Sequence, residues 1–315
     1  MESPFTHNTI ATGNNFLSRK KEVSQLLTNI RNGVHTVIYE PPMTGKQSAV
    51  YAALSQQEVR PAEIDLLNMV EPSGLMDRLA QTEGHSIIYI KNFQNILRSP
   101  DWEKTVSAMS GMMQKDGGPV FIITGSGVNA CRHIFEERKM MYRQYERIHL
   151  SPIEERSVTE HIIKTFLRVG RVVEQSQAER IYSVADGHPW YIWQIANSCF
   201  NLTKGYLSDS LLNEAIDTLL YTHSLRFQET VDGLSRYQIY FLRAVFDGIS
   251  KASSTEVIDS YRLNSSANVH RIKEALCKKE VILFDADDCP HIIDPVFRLW
   301  LERFYFKADN NDSEA

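Results

Sequence analysis

The sequence predicts an α/β protein in which a parallel sheet comes first and helical units follow. Three short apolar stretches, residues 34–39, 86–90 and 119–124, alternate with helical patterns in the first half of the chain. After residue 150 helical periodicity dominates, and two further strand patterns appear only near the C-terminus. Strand, helix and strand at this spacing favour a parallel sheet with helices on both faces.

The first elements follow in a clear order. Residues 19–31 carry apolar side chains at helical spacing, and Gly33 ends that helix. Residues 34–39 are β-branched or aromatic and predict a buried strand, which runs into a loop that contains Gly45 and Lys46. Residues 47–56 are rich in alanine and predict the next helix.

The alternation then repeats. Residues 86–90 read Ser-Ile-Ile-Tyr-Ile and predict a second buried strand. Residues 102–115 predict a helix rich in methionine, and residues 119–124 predict a third strand. We therefore expect a sheet domain over residues 1–150.

The second half of the chain predicts two helical units and a tail. Residues 151–230 show helical periodicity and are expected to form a helical domain. Residues 231–306 give three helices followed by two strands, which is the order of elements in a winged helix. Residues 307–315 are polar and acidic, and we expect them to be disordered.

Composition limits the classes of function. The 315 residues are 43% hydrophobic and 23% charged, and the net charge is −5. No overall positive field is present to hold the chain on nucleic acid or on an acidic membrane. No apolar run approaches the roughly 18 residues of a membrane span, and no signal peptide is visible, so we expect a cytoplasmic protein without a membrane partner. The four cysteines show no metal-ligand spacing, which predicts reduced thiols and no metal site.

The loop after the first predicted strand resembles a phosphate-binding loop. In the pattern GxxxxGK[ST], Gly45 and Lys46 hold their expected places, whereas Glu40 replaces the first glycine and Gln47 the final hydroxyl residue. Backbone N–H groups at a helix start are the main anion ligands of such a loop. Thr44, Gly45, Lys46, Gln47 and Ser48 all keep theirs. On this motif alone, a phosphate site and an ordinary strand-to-helix turn remain equally open.

Several motifs in order resemble the archaeal-type ATPase family of STAND and AAA-like P-loop NTPases, particularly its bacterial branch. Residues 15–23 are similar to the family's F-x-G-R-x-x-E-L box, with Ser18 in the glycine position. Residues 87–96 resemble its Walker B strand, residues 124–126 its sensor, and residues 187–189 the G-x-P motif of its lid.

The resemblance implies an ASCE-type P-loop sheet domain, a helical lid and a C-terminal winged helix. It also implies adenine nucleotide as ligand, with Arg19 and Pro189 flanking it and Ser126 at the sensor position. Glu22 belongs to the same box as Arg19, so the resemblance makes it a further candidate to flank the nucleotide. The Gly45–Lys46 loop would hold the phosphates of ATP or ADP, which we expect to bind weakly if at all.

The departures from the family pattern are concentrated where magnesium and water would be handled. Lys91 and Asn92 stand where the Walker B carboxylates would bind Mg²⁺ and polarise the attacking water. Gln47 replaces the hydroxyl ligand of the metal. We therefore expect a pseudo-ATPase that acts as a conformational or interaction module, with no bound Mg²⁺. We also predict that Glu40 pairs with Lys91 or Lys46 in the vacated site, or else is a solvated loop residue.

Two other functions stay open. A working ATPase would need metal ligands elsewhere, for example Asp101 or Glu103. A DNA-binding regulator would use the third helix of the winged unit, residues 266–278, but residues 226–304 hold 11 Lys+Arg against 12 Asp+Glu. We favour an unknown protein partner, bound through the winged helix or the lid, over DNA. Residues 188–191 are able to stack on a base or to pack under the lid.

Overall fold

The computed structural model describes residues 2–17, 19–57, 60–69 and 74–306. The described chain divides into two compact units. We call residues 8–153 the sheet unit, and residues 2–7 together with 154–306 the helical unit. The predicted helical domain and winged helix both lie in the helical unit, and their subdivision near residue 230 stays a prediction. The predicted disordered tail, residues 307–315, lies outside the described residues.

The described residues of the sheet unit form five parallel strands in the order β2-β3-β4-β1-β5. The order places β4 between β1, which precedes the Gly45–Lys46 loop, and β3, which resembles the Walker B strand; this is the ASCE arrangement that the resemblance implies. The strands are β1 His35–Tyr39, β2 Ala62–Asp65, β3 Ile87–Lys91, β4 Val120–Gly125 and β5 Tyr145–Arg147. The helices are α1 Lys20–Arg31, α2 Lys46–Leu54, α3 Leu75–Ala80, α4 Trp102–Met113 and α5 Val128–Arg132.

Apolar side chains fill both faces of this sheet. On one face Leu26 of α1 and Val50 of α2 pack with Ile38 and Ile122. On the other face the helices α3, α4 and α5 cover a second cluster, which includes Val106. The prediction of a parallel sheet with helices on both faces is confirmed.

The two strands that the sequence pattern did not predict are the edge strands. β2 reads Ala-Glu-Ile-Asp and buries only Ile64, while β5 is a three-residue strand in which no residue is buried. Edge strands have a solvated side and often carry charges, so they lack the apolar run that identifies a central strand. The predicted central strands all form, within one or two residues of their expected bounds.

The helical unit contains eight α-helices, a π-helix at Leu301–Phe306 and one two-stranded sheet. Its helices are α6 Glu155–Leu167, α7 Gln175–Val184, α8 Pro189–Leu202, α9 Asp209–Asp232, α10 Arg236–Phe246, α11 Thr255–Ser260, α12 Ser266–Lys278 and α13 Pro295–Trp300. β6 Ile282–Phe284 and β7 Pro290–Ile292 form an antiparallel hairpin after α12. This confirms the winged-helix order of elements. None of the described helices is both long enough and apolar enough to cross a bilayer.

The N-terminal segment is anchored in the helical unit. Phe5 is 3% exposed and stacks on Trp193 of α8 at 6.0 Å between ring centroids. It also contacts Phe166 of α6 and Phe200 of α8. This anchor was not predicted from the sequence, because one aromatic residue in a polar stretch gives no periodic signal.

Candidate functional site

The loop after β1 turns the chain sharply into α2. Gly45 is the N-cap residue of α2 and has φ of 92°, in the left-handed region that favours glycine. Met43 also has a positive φ, of 60°. The turn places the N-terminus of α2 at the carboxyl end of β1, which is where α/β sheets bind their ligands.

A row of main-chain amides at this turn is free to bind an anion. The N–H groups of Thr44, Gly45, Lys46, Gln47 and Ser48 have no acceptor among the described residues. Five successive donors at a helix N-terminus, aided by the helix dipole, form the type of cradle that holds phosphate.

Lys46 lies within this cradle and is folded back onto its own loop. Its Nζ donates to the main-chain carbonyls of Glu40 at 2.8 Å and Pro41 at 2.6 Å. The side chain is buried, and desolvation lowers the pKa of Lys46 to about 8, although the nearby charge of Glu40 acts in the opposite direction. A phosphate would give this ammonium group a stronger partner than the two carbonyls.

The carboxylate of Glu40 is bound by residues that follow β5, the strand on the other side of β1. Its Oε1 lies 2.6 Å from Nδ1 of His149 and accepts a hydrogen bond from the amide of Leu150 at 3.2 Å. Its side chain is 8% exposed, so it is not a solvated loop residue. Lys46 meets the main chain of Glu40 rather than its carboxylate. The predicted Glu40–Lys91 pair is wrong, because Lys91 has closer acidic partners.

Those partners come from the edge strand β2. Nζ of Lys91 lies 3.0 Å from Oε2 of Glu63 and 3.9 Å from Oδ2 of Asp65. Burial lowers the pKa of Lys91, but its hydrogen bond to Glu63 and the acidic neighbours raise it by more, and the net pKa is raised. A protonated amine therefore occupies the end of β3, where a metal-binding carboxylate would be expected.

Asn92, the residue after Lys91, is also hydrogen-bonded to β2. Asn92 has φ of 57°, and its Nδ2 donates to Oδ1 of Asp65 at 2.8 Å. Farther along, Oε1 of Gln94 accepts the amide hydrogen of Ser126 at 2.9 Å, which ties the end of β3 to the end of β4. Ser126 thus lies at the same edge of the sheet as the loop of Lys46, and its role as a sensor stays a prediction.

Gln47 and Ser48 offer no clear metal ligand. The Gln47 side chain is exposed, and no hydrogen bond of its amide is observed within the described part of the chain. The Ser48 hydroxyl accepts the amide hydrogen of Ala11 at 3.0 Å. Because that hydroxyl is occupied by the N-terminal segment of the sheet unit, Ser48 is not a direct substitute for the missing residue at position 47.

The buried side chain of Arg19 bridges two main-chain segments of the sheet unit. It is 4% exposed and donates to the carbonyl oxygens of Thr44, at 3.2 Å, and Ser151, and it also pairs with Glu22. Burial lowers the pKa of Arg19, and the charges of Glu22 and Glu40 act against that shift. The guanidinium group therefore links the loop of Lys46 to the main chain after β5. The resemblance instead places this group beside the nucleotide. Ser18 lies outside the described residues.

The alternative metal ligands are committed to ion pairs. Asp101 pairs with Lys104 at 2.8 Å, and Glu103 pairs with Arg138. Among the described residues, no group of three or more His, Cys, Asp or Glu side chains is arranged to hold a metal ion.

Pro189 lies in the helical unit, where it is the first residue of α8. The following aromatic residues pack within that unit: Trp190 lies 5.0 Å from the ring of His223, and Tyr191 lies 4.7 Å from the ring of His188. The indole N–H of Trp190 is buried without an acceptor in the described part of the chain. The packing interpretation of residues 188–191 accounts for these contacts.

The winged helix has an acidic wing. The tip between β6 and β7 carries Asp285, Asp287 and Asp288. Lys273 of α12 lies 3.2 Å from Oδ2 of Asp288, and the side-chain amide of Asn268 donates to the carbonyl of Leu263. Two of the polar groups that α12 would present to DNA are therefore bound within the domain.

Comparison with known proteins supports the fold. A family model described as "Probable winged helix domain" matches residues 225–303. A Walker-type ATPase of Pyrococcus abyssi superposes with a TM-score of 0.71 at 15% identity, covering 95% of this chain and 99% of that one. The ORC2 protein of Aeropyrum pernix, in its ADPNP-ADP complexes, gives 0.60 at 14% identity over 97% and 98%.

A third structure, the ORC1 protein of Aeropyrum pernix in complex with DNA, gives a TM-score of 0.54 at 12% identity over 96% of this chain and 97% of that one. No curated protein matches the chain by sequence. At these identities the likeness shows the fold alone, which is a P-loop ATPase fold with a C-terminal winged helix.

Proposed function

We propose that this protein is a P-loop pseudo-ATPase that binds ATP or ADP without magnesium and acts as a conformational or interaction module. The observation that carries the proposal is the row of unpartnered amides from Thr44 to Ser48 around the buried Lys46. Free N–H groups are found at the N-terminus of any α-helix, but here they follow a left-handed glycine and lie beside a buried ammonium group, and that combination of donors suits a phosphate.

The expected lack of hydrolysis follows from the end of β3. Metal-dependent phosphoryl transfer needs acidic or hydroxyl oxygens around Mg²⁺ and a group that orients water. Here Lys91 is held by Glu63 and Asp65, and Asn92 is an amide bound to the same aspartate. A cation at this position repels Mg²⁺. Adenine nucleotide is supported as ligand by the similarity of the fold to the ORC2 protein, whose structure holds ADPNP and ADP.

The test is calorimetric titration of ATP and ADP, with and without Mg²⁺. We expect binding that is indifferent to Mg²⁺ and at least about tenfold weaker in Lys46→Ala, which is a loss of roughly 1.4 kcal/mol. Lys104→Ala is the matched control, because Lys104 is an exposed lysine of the same unit, and it should bind as the wild type does.

Three results would contradict the proposal. The first is Mg²⁺-dependent release of phosphate that disappears in Lys46→Ala, which would favour a working ATPase. The second is a binding heat unchanged by that substitution. The third is no heat at millimolar nucleotide, which would leave the loop as an ordinary turn.

DNA binding is the second candidate function, and one observation favours it: the fold is shared with an ORC1 protein whose structure includes DNA. Against it stand the acidic wing and the internal partners of Lys273 and Asn268. We therefore rank DNA below a protein partner.

A further inference from the structure

Glu40 places a carboxylate at the start of the phosphate loop. It holds the first position of the GxxxxGK[ST] pattern, where the pattern has a glycine and therefore no side chain. Because side chains alternate between the two faces of a strand, Glu40 lies on the same face as Ile38, which α1 and α2 cover. Its side chain is buried there and bound to His149 and Leu150. A negative charge is thus enclosed beside the turn that carries the row of amides.

Two buried cations lie near this carboxylate. Nζ of Lys46 donates to the carbonyl oxygen of Glu40 itself at 2.8 Å. Arg19 donates to the carbonyl oxygen of Ser151, the residue after Leu150, whose amide binds the carboxylate. Burial lowers the pKa of both Lys46 and Arg19, and the charge of Glu40 opposes that shift in both. The carboxylate is therefore an electrostatic partner of both cations.

The charges enclosed around the loop cancel before any ligand binds. Arg19 and Lys46 supply two positive charges, while Glu40 and Glu22, which pairs with Arg19, supply two negative ones. His149 is exposed and adds a positive charge only when it is protonated. A glycine in place of Glu40 would leave one positive charge in excess. Because burial reduces screening by solvent, each of these charges acts strongly on an entering phosphate.

We propose that the buried carboxylate of Glu40 is a resident counter-ion of the phosphate cradle, which makes the cradle neutral without ligand and weakens its affinity for polyphosphates. In the free protein the carboxylate favours the charged form of the buried Lys46. When a phosphate enters, the same carboxylate repels it. Weak nucleotide binding is then set by one side chain and not by the loss of the loop. The inference rests on the phosphate cradle of the proposed function.

Calorimetric titration of tripolyphosphate and of ATP, without Mg²⁺ at pH 6.5, tests this role. Tripolyphosphate reports on the cradle alone, because it has no base or sugar. Glu40→Gln removes the charge and keeps an oxygen that accepts the amide hydrogen of Leu150. We expect it to bind both ligands at least about tenfold more tightly than the wild type. A residue that only supports the fold would weaken binding when it is replaced.

Three further variants locate the effect. Glu40→Gly restores the residue of the P-loop pattern and should show the same gain, so the test survives a poorly folded Glu40→Gln. Glu146→Gln is the matched control, because Glu146 is an exposed residue of β5 and its replacement changes the net charge of the chain equally. It should bind as the wild type does. Glu40→Gln/Lys46→Ala should lose the gain, since the cradle then lacks its ammonium group.

The pKa of Lys46 gives a second measurement that needs no ligand. NMR of the lysine side chains follows its titration in the wild type and in Glu40→Gln. Loss of the carboxylate should lower this pKa from about 8 to about 7, because a nearby opposite charge no longer favours the ammonium form. At pH 6.5 Lys46 stays mostly protonated in both proteins, so the change in affinity reports the carboxylate itself.

The proposal is overturned if neither Glu40→Gln nor Glu40→Gly gains affinity for tripolyphosphate, or if Glu146→Gln gains as much. It is also overturned if the pKa of Lys46 is the same in Glu40→Gln as in the wild type. The nucleotide proposal is read separately, from ATP and ADP on the wild type and Lys46→Ala. A wild type that binds no nucleotide would contradict that proposal, whereas a gain of tripolyphosphate binding in Glu40→Gln would still support this one.

Discussion

The pKa of Lys46 is set by the groups that enclose its side chain. This residue is enclosed by the turn from β1 to α2, and burial lowers its pKa to about 8 while carbonyl oxygens accept its protons. The Gly-Lys pair of the sequence locates this residue, but its protonation depends on the closed loop around it. That closed loop gives the site its first testable property.

Rising pH should relieve the cost of burying the Lys46 charge. The unfolded chain holds this proton up to pH 10.5 and the folded chain only to about pH 8, so the unfolded state binds more protons between those values. Folding stability therefore rises with pH across that window. Relative to Lys46→Met, the wild type should gain about 3 kcal/mol of unfolding free energy, at 1.36 kcal/mol per pKa unit.

Urea unfolding at intervals between pH 7.5 and 10.5 measures this difference. Lys104→Met serves as control, because Lys104 is 84% exposed and has no comparable burial cost. A wild-type advantage over Lys46→Met that stays constant across the range would show that Lys46 keeps its ordinary pKa.

Lys91 and Glu40 make a related point at the residue scale. Lys91 is the last residue of β3, and Glu40 follows the last residue of β1. The close ion pairs are Lys91 with Glu63 and Glu40 with His149, whereas the charge of Glu40 also acts on Lys46, its other predicted partner. A charged residue next to a vacated site takes the nearest satisfactory counter-charge, and here each one lies on a neighbouring edge strand or its exit.

At the scale of elements, the contact between β4 and α5 is tight. A Cβ atom added to Gly125 at the end of β4 would lie 2.3 Å from Sγ of Cys131 in α5. Cys131 is fully buried, so its sulfur has little room to move. The small residue at position 125 thus allows α5 to pack against the end of the strand that precedes Ser126.

Gly125→Ala should therefore destabilise the protein by about 1–3 kcal/mol, the usual cost of overpacking. In the double variant Gly125→Ala/Cys131→Ala the sulfur is absent. Adding Gly125→Ala to the Cys131→Ala background should therefore cost no more than half of the unfolding free energy that it costs in the wild type. Thermal and urea unfolding of the two single variants and the double variant form the cycle. Strictly additive losses would mean that the two sites do not interact.

At the scale of the whole molecule, charge distribution argues against a DNA-binding role. The net charge of the chain is −5, and the wing tip adds three aspartates where a DNA-binding wing would carry cations. With few free cations to replace counterions, affinity for duplex DNA should be weak and should change little with salt.

Anisotropy with a labelled duplex at several salt concentrations tests this expectation. We expect a Kd no tighter than about 10⁻⁵ M at physiological salt, within the non-specific range. An affinity that falls steeply as salt rises, or a preference for one sequence, would instead support the DNA-binding regulator.

Local sequence was sufficient for the order of the main elements and for the position of the loop. Apolar patterns identified the central strands and the helical character of the second half, whereas α3, α5 and α13 were not predicted. Gly45 followed by Lys46 marked the strand-to-helix turn. The absence of carboxylates at positions 91 and 92 was also evident from sequence. These features depend on residues close together in the chain, whose spacing carries the signal.

Only the tertiary structure decided which groups meet. Leu150, whose amide binds Glu40, lies 110 positions away in the chain, and β2, which supplies the partners of Lys91, has too little apolar pattern to be predicted. Spacing along the chain fixes the elements, but packing between distant elements determines their partners, their burial and therefore the chemistry of the site.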